Sequence, residues 1–401
     1  MSIIYRLVTA AYGIHFADQI ALVAVPLIAV LLFDASPQVL GLLVAGQSMA
    51  HLIGTLPFGI LADQRQLRSL VIASALVSLA GFVITLLSLS FSSILLFGAG
   101  ITIAGFGVVL FVLTALSIIP RTVSAGNLAA ANARVEIPRA ICSFAVPLVL
   151  GLLISDLAGW VIFTVACAGS IWALLFSVGL PRFEVLPKSQ TGILQQVYEG
   201  GMLVLRNRLL LPIALCAVFW NLAFAVLFVI IVPVIKDIYL FDPGAFGIAM
   251  AAFGLAAVAG TWLAGHIAQR LPPLILLVFG PGSSAIAVAC LLFIGPETSE
   301  IWLYVCFFFL SFGPAMWQVV QNSVRQIVAP SGLLGRVNAV IQTAIYGVRP
   351  LGALIGGFVA DSQGLTFALM LAISGFCASF GVALLSDMRT VRRFDDIKVH
   401  A

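Results

Sequence analysis

The stretch from Gly54 to Arg68, GTLPFGILADQRQLR, decides the fold prediction. An apolar segment ends there in a short charged turn, and a second apolar segment begins at Ser69. A turn of this kind between two apolar segments is typical of consecutive membrane-spanning helices, and we interpret it as a hinge point.

The composition of the chain supports a membrane protein. Of the 401 residues, 62% are hydrophobic and only 8% are charged, and the mean hydropathy is +1.19. Apolar runs of about 20 residues match the roughly 30 Å hydrocarbon core of a bilayer. Met1 to Arg6 leads into an apolar run too long for a cleavable signal peptide, so we expect the first helix to be retained. The chain is therefore predicted to be an integral, multi-pass membrane protein.

The apolar runs predict twelve transmembrane helices. The predicted spans are 8–33, 39–62, 69–90, 94–119, 129–154, 158–180, 209–235, 243–268, 273–295, 301–326, 337–360 and 364–387. With this count, 16 of the 19 Lys and Arg residues fall on the side of the two termini, and Lys236 alone lies in an opposite-side loop. Because cytoplasmic loops carry the excess of basic residues, both termini are predicted to be cytoplasmic.

The longest polar connection divides the chain into two halves. We predict an N-terminal six-helix bundle over 1–180, a cytoplasmic linker over 181–208, a C-terminal six-helix bundle over 209–388 and a cytoplasmic tail over 389–401. A gap-free shift of 206 residues superposes the halves in sequence. The identities pair Gly41, Gly54, Thr55, Gly59, Ala62, Ser117, Gly126, Asn132, Ala133 and Gly151 with Gly247, Gly260, Thr261, Gly265, Ala268, Ser323, Gly332, Asn338, Ala339 and Gly357. Some of these pairs are coincidences of a Gly- and Ala-rich chain, but a parallel repeat of six-helix halves is typical of one large group of transporters.

These features resemble the major facilitator superfamily. The resemblance rests on the twelve spans, the central linker and the loop motif around Gly59, Leu61, Asp63 and Arg68. Two further segments, FADQIALVAVPL from Phe16 and GRVNAVIQTAIYGVRPLGALIGGFVAD from Gly335, resemble its branch of bacterial drug and siderophore exporters, which includes macrolide and enterobactin efflux proteins. The resemblance implies an all-α fold of two pseudo-symmetric six-helix bundles.

The resemblance also assigns roles within the loop motif. It implies that Gly59 allows close helix packing, that Asp63 lies near the start of span eleven, and that Arg65 and Arg68 bind acidic groups or lipid headgroups. A carboxylate near a helix N-terminus stabilises the docked state by about 0.3–2 kcal/mol, enough to bias a conformational equilibrium. The chain departs from the family pattern at Gln64 and Gln66, and Arg65 is a candidate substitute for the missing charge. The alternative is that Asp63 and Arg68 simply mark the membrane surface.

Ionisable residues within the spans are candidates for a functional role because an unpaired charge in a bilayer is costly. Asp18 in span one is a candidate for proton coupling, because a carboxylate that exchanges an arginine partner between conformations changes its pKa. Its alternative role is a static ion pair that fixes helix packing. Glu136 and Arg139 in span five could likewise neutralise each other across one helical turn. The full set of candidates is His15, Asp18, His51, Glu136, Arg139 and Arg349.

The two histidines and Arg349 leave different questions open. His15 and His51 can titrate near physiological pH, but each is also compatible with a hydrogen-bonded packing role. Arg349 has no partner near it in sequence, so it must find one in space or bind an anionic group.

Aromatic and amide side chains in spans seven, ten and eleven predict a cavity for a partly apolar ligand, in which apolar walls supply affinity and a few polar groups fix orientation. Its candidates are Trp220, Asn221, Trp317, Gln318, Gln321, Gln342 and Tyr346. Gln318, Gln321, Asn322 and Arg325 share one face of span ten, and such a polar stripe on an apolar helix favours contact with water over lipid.

No P-loop, dinucleotide fingerprint, HExxH motif or His/Cys metal cluster occurs in the sequence, so no cofactor, metal or nucleic acid is expected. The predicted function is secondary transport by alternating access: proton-coupled export of amphipathic, drug-like compounds across a bacterial inner membrane by a monomer. The alternatives are transport of lipid-like or siderophore-type molecules, uptake of a small organic ion, and, outside transport, a membrane-embedded enzyme such as an acyltransferase with His15 or His51 as base.

Overall fold

The structure, a computed structural model, describes residues 2–122, 128–153, 158–183, 193–267, 271–329 and 334–390. Within these ranges the chain is helical apart from short turns and loops. Helices are the expected outcome, because backbone N–H and C=O groups in a bilayer must bond within their own segment. The chain forms two compact units, residues 1–188 with 246–251 and residues 189–245 with 252–401.

The first unit contains six long helices. They are α1 (Ile3–Leu31), α2 (Pro37–Gln64), α3 (Leu67–Ser90), α4 (Ile94–Ile118), α5 (Leu128–Leu153) and α6 (Gly159–Val178). Side-chain oxygens accept hydrogen bonds from free backbone N–H groups where helices begin: Ser36 from Val39 and Ser93 from Leu96. The core of this unit lies between α1, α3 and α4 and includes Leu7, Val71 and Phe111.

The second unit contains the remaining helices. They are α7 (Ile193–Arg206), α8 (Leu210–Pro233), α9 (Gly244–Ile267, part of which belongs to the first unit), α10 (Pro273–Cys290), α11 (Ile301–Val328), α12 (Leu334–Gln363) and α13 (Leu365–Leu385). Its core includes Leu210, Leu277, Trp317, Val328 and Val337. The start of α8, the end of α11 and the start of α12 thus meet at one end of the unit, which we call the linker end.

The twelve predicted spans coincide with α1–α6 and α8–α13 to within a few residues, which confirms the fold prediction. Of the described residues, eleven helices are long and apolar enough to cross a membrane, and α2, with 28 residues, is the twelfth predicted span. Large apolar side chains such as Leu95, Trp262 and Phe358 are exposed on these helices. Such side chains are expected to face lipid in a membrane-embedded protein.

The linker prediction missed a helix. Helix α7 lies within the predicted linker 181–208, and its apolar residues recur with helical period. Inside the second unit it packs against α12. The sequence analysis missed this helix because the linker is polar overall. The apolar residues of α7 occupy only one narrow face, so they do not resemble a membrane span.

The internal repeat is visible in the packing of each unit. A Cβ added to Gly54 would come within 3.3 Å of the Phe106 ring, and a Cβ added to Gly260 would come within 2.4 Å of the Phe312 carbonyl oxygen. Gly54 and Gly260, and likewise Phe106 and Phe312, are 206 positions apart. In each unit the second and fourth spans therefore pack together at an equivalent glycine. This pseudo-symmetry confirms that the repeat is structural.

Candidate functional site

The turn between α2 and α3 is stabilised by contacts within the first unit. The Gln66 side-chain oxygen accepts hydrogen bonds from the Ser69 N–H at 3.3 Å and the Ser69 hydroxyl at 2.9 Å, so this glutamine begins α3 as its cap. Arg65 is exposed. A Cβ on Gly59 would meet no described atom within 4 Å, and the packing role of this glycine stays a prediction. The side chains of Asp63 and Gln64 lie outside the described residues.

Arg68 binds a helix end rather than an acidic group. Its Nη2 donates to the carbonyl oxygen of Val178 at 2.8 Å, at the last residue of α6. A Cβ on the next residue, Gly179, would come within 2.6 Å of the Arg6 guanidinium. Two arginines therefore lie at the C-terminus of α6, where the free carbonyls and the helix dipole favour positive charge.

A charged group lies where α1 packs against α5 in the first unit. Arg139 acts electrostatically on both His15 and Asp18. Asp18 is partly buried, and among the described residues no hydrogen bond or ion pair within 4.0 Å reaches its carboxylate. His15 is 5% exposed, its ring lies edge-on to Phe111, and its Nδ1 has no hydrogen-bond partner in the described part of the chain. The structure thus brings together three of the six predicted ionisable residues.

Glu136 and Arg139 satisfy each other across one turn of α5. Arg139 Nη1 lies 3.6 Å from Glu136 Oε2, and both side chains are more than half exposed. This is the local pairing that the sequence left open. Because the pair is exposed, its contribution to stability is about 0–1 kcal/mol. Arg139 is therefore only weakly held by Glu136.

The other two ionisable residues, His51 and Arg349, lie on α2 and α12. His51 is half-buried on α2, and its backbone carbonyl accepts a hydrogen bond from the Thr55 hydroxyl. Thr261 makes the equivalent bond to Ala257 in the second unit, so this contact belongs to the repeat. Arg349 lies in the second unit on α12.

Arg349 is held by an amide and an aromatic ring. Its Nε donates to Asn221 Oδ1 on α8 at 2.9 Å, and its guanidinium carbon lies 5.5 Å from the centre of the Tyr346 ring. Asn221 is itself oriented by donating to the Ala217 carbonyl at 2.8 Å. Gln342, Tyr346 and Arg349 share one face of α12, and Gln342 is exposed. The sequence analysis placed Arg349 among the ionisable candidates and Asn221, Gln342 and Tyr346 among the cavity candidates, and it could not pair Asn221 with Arg349.

The two predicted cavity tryptophans are packing residues in this structure. Trp220 stacks on Phe224 with ring centres 5.0 Å apart, and its Nε1 donates to the Ser284 hydroxyl at 2.9 Å. Trp317 is 7% exposed, lies in the core of the second unit and packs against Gly280 of α10. Both rings connect helices within one unit, so their assignment to a cavity wall does not follow from this geometry.

The polar stripe on α11 is only partly open to solvent. Gln318 is exposed, Asn322 is half-buried, and Gln321 and Arg325 are 2% and 6% exposed. The sequence predicted that this stripe contacts water, and the structure instead buries Gln321 and Arg325. The pattern on one helix could not distinguish these outcomes, because a face that meets water and a face that meets other helices have the same spacing.

Two units of six spans within one chain are typical of membrane transporters built from two helical bundles. Residues 7–353 match the family model of the Major Facilitator Superfamily, and the chain belongs to this family. It is therefore a multi-pass membrane transporter of small molecules.

Curated relatives include the enterobactin exporter EntS of Shigella boydii and of Escherichia coli. The Shigella protein (serotype 4, strain Sb227) is 26% identical over 382 residues, covering 93% of this chain and 88% of the relative. The Escherichia coli O1:K1 protein gives the same identity and coverage. Both alignments extend over nearly the full length of the chain.

Solved structures share the fold at low identity. The nucleoside transporter NupG superposes with a TM-score of 0.77 at 12% identity, covering 99% of each chain. A bacterial homologue of the human lysosomal transporter Spinster, in an inward-facing and unoccupied conformation, gives 0.71 at 14% identity, covering 97% of each chain. These structures support the fold and carry no information on the substrate.

Proposed function

We propose that this protein exports amphipathic organic compounds across the bacterial inner membrane in exchange for protons. It acts as a monomer, without catalytic activity, by alternating exposure of a binding site to the two sides of the membrane. Family membership supports transport. The similarity to enterobactin exporters supports export as the direction and organic molecules as the substrates.

The observation that carries the proton-coupling proposal is the environment of Asp18. This carboxylate is partly buried and lies in the field of Arg139 without a direct ion pair among the described residues. A carboxylate in such a position is stabilised in either protonation state by a small movement of the arginine. Among the described residues, Arg139 forms an ion pair with exposed Glu136 alone, so this movement requires little energy.

The similarity to enterobactin exporters favours a second candidate substrate class. A siderophore-type molecule is larger and more polar than a typical drug. Arg349, held by Asn221 and Tyr346, would bind acidic oxygens in either class. The two classes differ in chemistry but use the same fold and the same coupling residues.

Purified protein in proteoliposomes tests the proposal. Ligands are first selected by their effect on the thermal unfolding midpoint, and their transport is then measured with and without an imposed pH gradient. We expect Asp18→Asn to abolish gradient-driven transport while leaving ligand binding intact. Asp34→Asn is the matched control, because Asp34 lies in a loop with a φ of 46°, a conformation that asparagine also adopts. Uphill transport that survives in Asp18→Asn removes this residue from the coupling mechanism.

A further inference from the structure

The linker end of the second unit contains a group of hydrogen-bond donors without enough acceptors. Gln318 Nε2, Gln321 Nε2 and the Arg325 guanidinium all donate to one atom, Asn322 Oδ1. A carbonyl oxygen has two lone pairs, so three donors compete for two positions. Arg325 Nε is buried and has no partner among the described residues. These four residues, the α11 cluster, therefore have donors to spare.

Among the described residues, the charge of the α11 cluster is also unbalanced. An arginine side chain keeps its proton under all ordinary conditions. No described carboxylate lies within 4.0 Å of the Arg325 guanidinium, whose side chain is 6% exposed. A buried charge without a counter-charge is strongly unfavourable. The environment of the Arg325 guanidinium therefore favours binding of an anion.

One acceptor in the α11 cluster also has no hydrogen-bond donor. Gln321 Oε1 is buried and accepts no hydrogen bond from the described residues. Its nitrogen is already committed to Asn322 at 3.0 Å. A ligand that satisfies the whole cluster therefore has an anionic oxygen for Arg325 and, beside it, an O–H or N–H group for Gln321.

The position of the cluster separates it from the site at Arg349. Arg325 lies three residues before the end of α11, so it is about 5 Å from the linker end along the helix axis. Arg349 lies fifteen residues into α12, about 22 Å from the same end. Exposed Gln318 gives the α11 cluster an approach from outside the core.

We propose that the α11 cluster is an anion-binding subsite of the transporter, which takes the carboxylate or a similar acidic oxygen of an amphipathic substrate with an adjacent hydroxyl or amide donor. This rests on the proposed function and makes it more specific, because it names acidic amphiphiles as the substrate class.

Binding of two matched probes tests the subsite. Salicylate has a carboxylate with an adjacent hydroxyl, and salicylamide has the same shape without the charge. We expect wild-type protein in phosphatidylcholine nanodiscs to bind salicylate about tenfold more tightly, the ratio that one charge-assisted hydrogen bond of this kind provides. Arg325→Gln should reduce this ratio to about one. Arg206→Gln, which removes an exposed basic residue at the same end, should leave it unchanged. A preference that persists in Arg325→Gln overturns the proposal.

Thermal stability without ligand gives an independent readout. Because the charge of Arg325 has no protein counter-charge in this proposal, Arg325→Met should unfold at the same temperature as wild type or higher. A marked fall in the unfolding midpoint, or failure to fold, shows that the protein itself neutralises the guanidinium, and overturns the proposal. Arg325→Lys, which keeps the charge but loses the planar donors, should retain part of the salicylate preference.

Two further experiments complete the test. The first asks whether the bound anion is a substrate or a lipid headgroup, and the second distinguishes failure of the subsite from failure of the proposed function. If phosphatidylglycerol in the nanodisc abolishes salicylate binding to wild type, the anion is a lipid headgroup and the substrate assignment fails. In proteoliposomes, Arg325→Gln should lose transport of acidic ligands and keep transport of neutral ones. Equal loss of both, or of neither, overturns the subsite alone, whereas wild-type protein that transports no ligand overturns the proposed function and leaves the salicylate preference as a separate result.

Discussion

At the scale of single residues, Asn221 determines how Arg349 is presented. Asn221 is 7% exposed and uses both ends of its amide, one on the Ala217 carbonyl and the other on Arg349. The Arg349 guanidinium therefore keeps its Nε edge toward α8. Asn221 acts as a positioning residue for whatever acidic group Arg349 binds.

A double-mutant cycle between Asn221→Ala and Arg349→Gln measures this role. We expect each single change to slow transport of acidic ligands, and the double change to slow it no further than Arg349→Gln alone. The expected coupling is about 0.5–3 kcal/mol, as for residues in direct contact. Initial transport rates are measured in proteoliposomes for wild type, both single variants and the double variant. Simple additivity of the two effects would show that Asn221 does not act through Arg349.

Single glycines also determine how closely two helices approach each other. A Cβ on Gly81 of α3 would come within 2.3 Å of the Ala104 backbone nitrogen on α4. Gly81→Ala should therefore lower the unfolding free energy by about 1–3 kcal/mol through overpacking. Gly381→Ala is the control, because a Cβ there meets no described atom within 4 Å and alanine favours the helix. The unfolding midpoints of Gly81→Ala and Gly381→Ala are compared in one detergent. An equal shift in both variants would contradict the packing argument.

At the scale of secondary-structure elements, α7 comes closest to α12 at two adjacent residues. Glu199 forms an ion pair with Arg336 near the start of α12. A Cβ on Gly200 would come within 2.7 Å of the Arg336 carbonyl oxygen, so the backbones of α7 and α12 are in close contact there. Both side chains of the ion pair are partly exposed, and its contribution is small. The close backbone contact is the stronger constraint on α7.

Replacement of adjacent glycines tests the attachment of α7. Gly200→Leu should displace α7 from α12 and raise the rate of amide hydrogen exchange over residues 198–206. Gly201→Leu should not, because a Cβ on Gly201 would meet no described atom within 4 Å. Glu199→Gln should have a smaller effect than Gly200→Leu. Hydrogen exchange followed by mass spectrometry reports each segment, and similar protection in the two leucine variants would mean that α7 is held by other contacts.

The elements also show what the sequence could predict. All twelve spans follow from hydropathy, since a helix is the only open segment that satisfies its backbone in a bilayer. Helix α7 was missed because its apolar residues serve an interface with α12 rather than lipid. The partners of Arg68 and Arg349 were missed for a different reason: Val178 and Asn221 are more than 100 residues away, and only the tertiary fold brings them close. Burial of Arg325 likewise depends on neighbouring helices.

At the scale of the whole molecule, the distribution of basic residues predicts the orientation in the membrane. The linker end of the second unit has Arg206 and Arg208, whereas the loop between α10 and α11, at the other end of α10, has Glu297 and Glu300. Lys and Arg are retained on the cytoplasmic side. Both termini and α7 are therefore proposed to be cytoplasmic, which places the α11 cluster on the side from which an exporter takes up its substrate.

Cysteine labelling in intact cells tests this orientation. In a variant without its six native cysteines, Glu297→Cys and Arg206→Cys each introduce one thiol at an exposed position. A membrane-impermeant maleimide should label Glu297→Cys in intact cells and Arg206→Cys only after permeabilisation. The reverse pattern would place the linker outside the cell. It would then also place Arg325 nearer the exit than the entrance, so that an anion bound by the α11 cluster would be leaving the exporter rather than entering it.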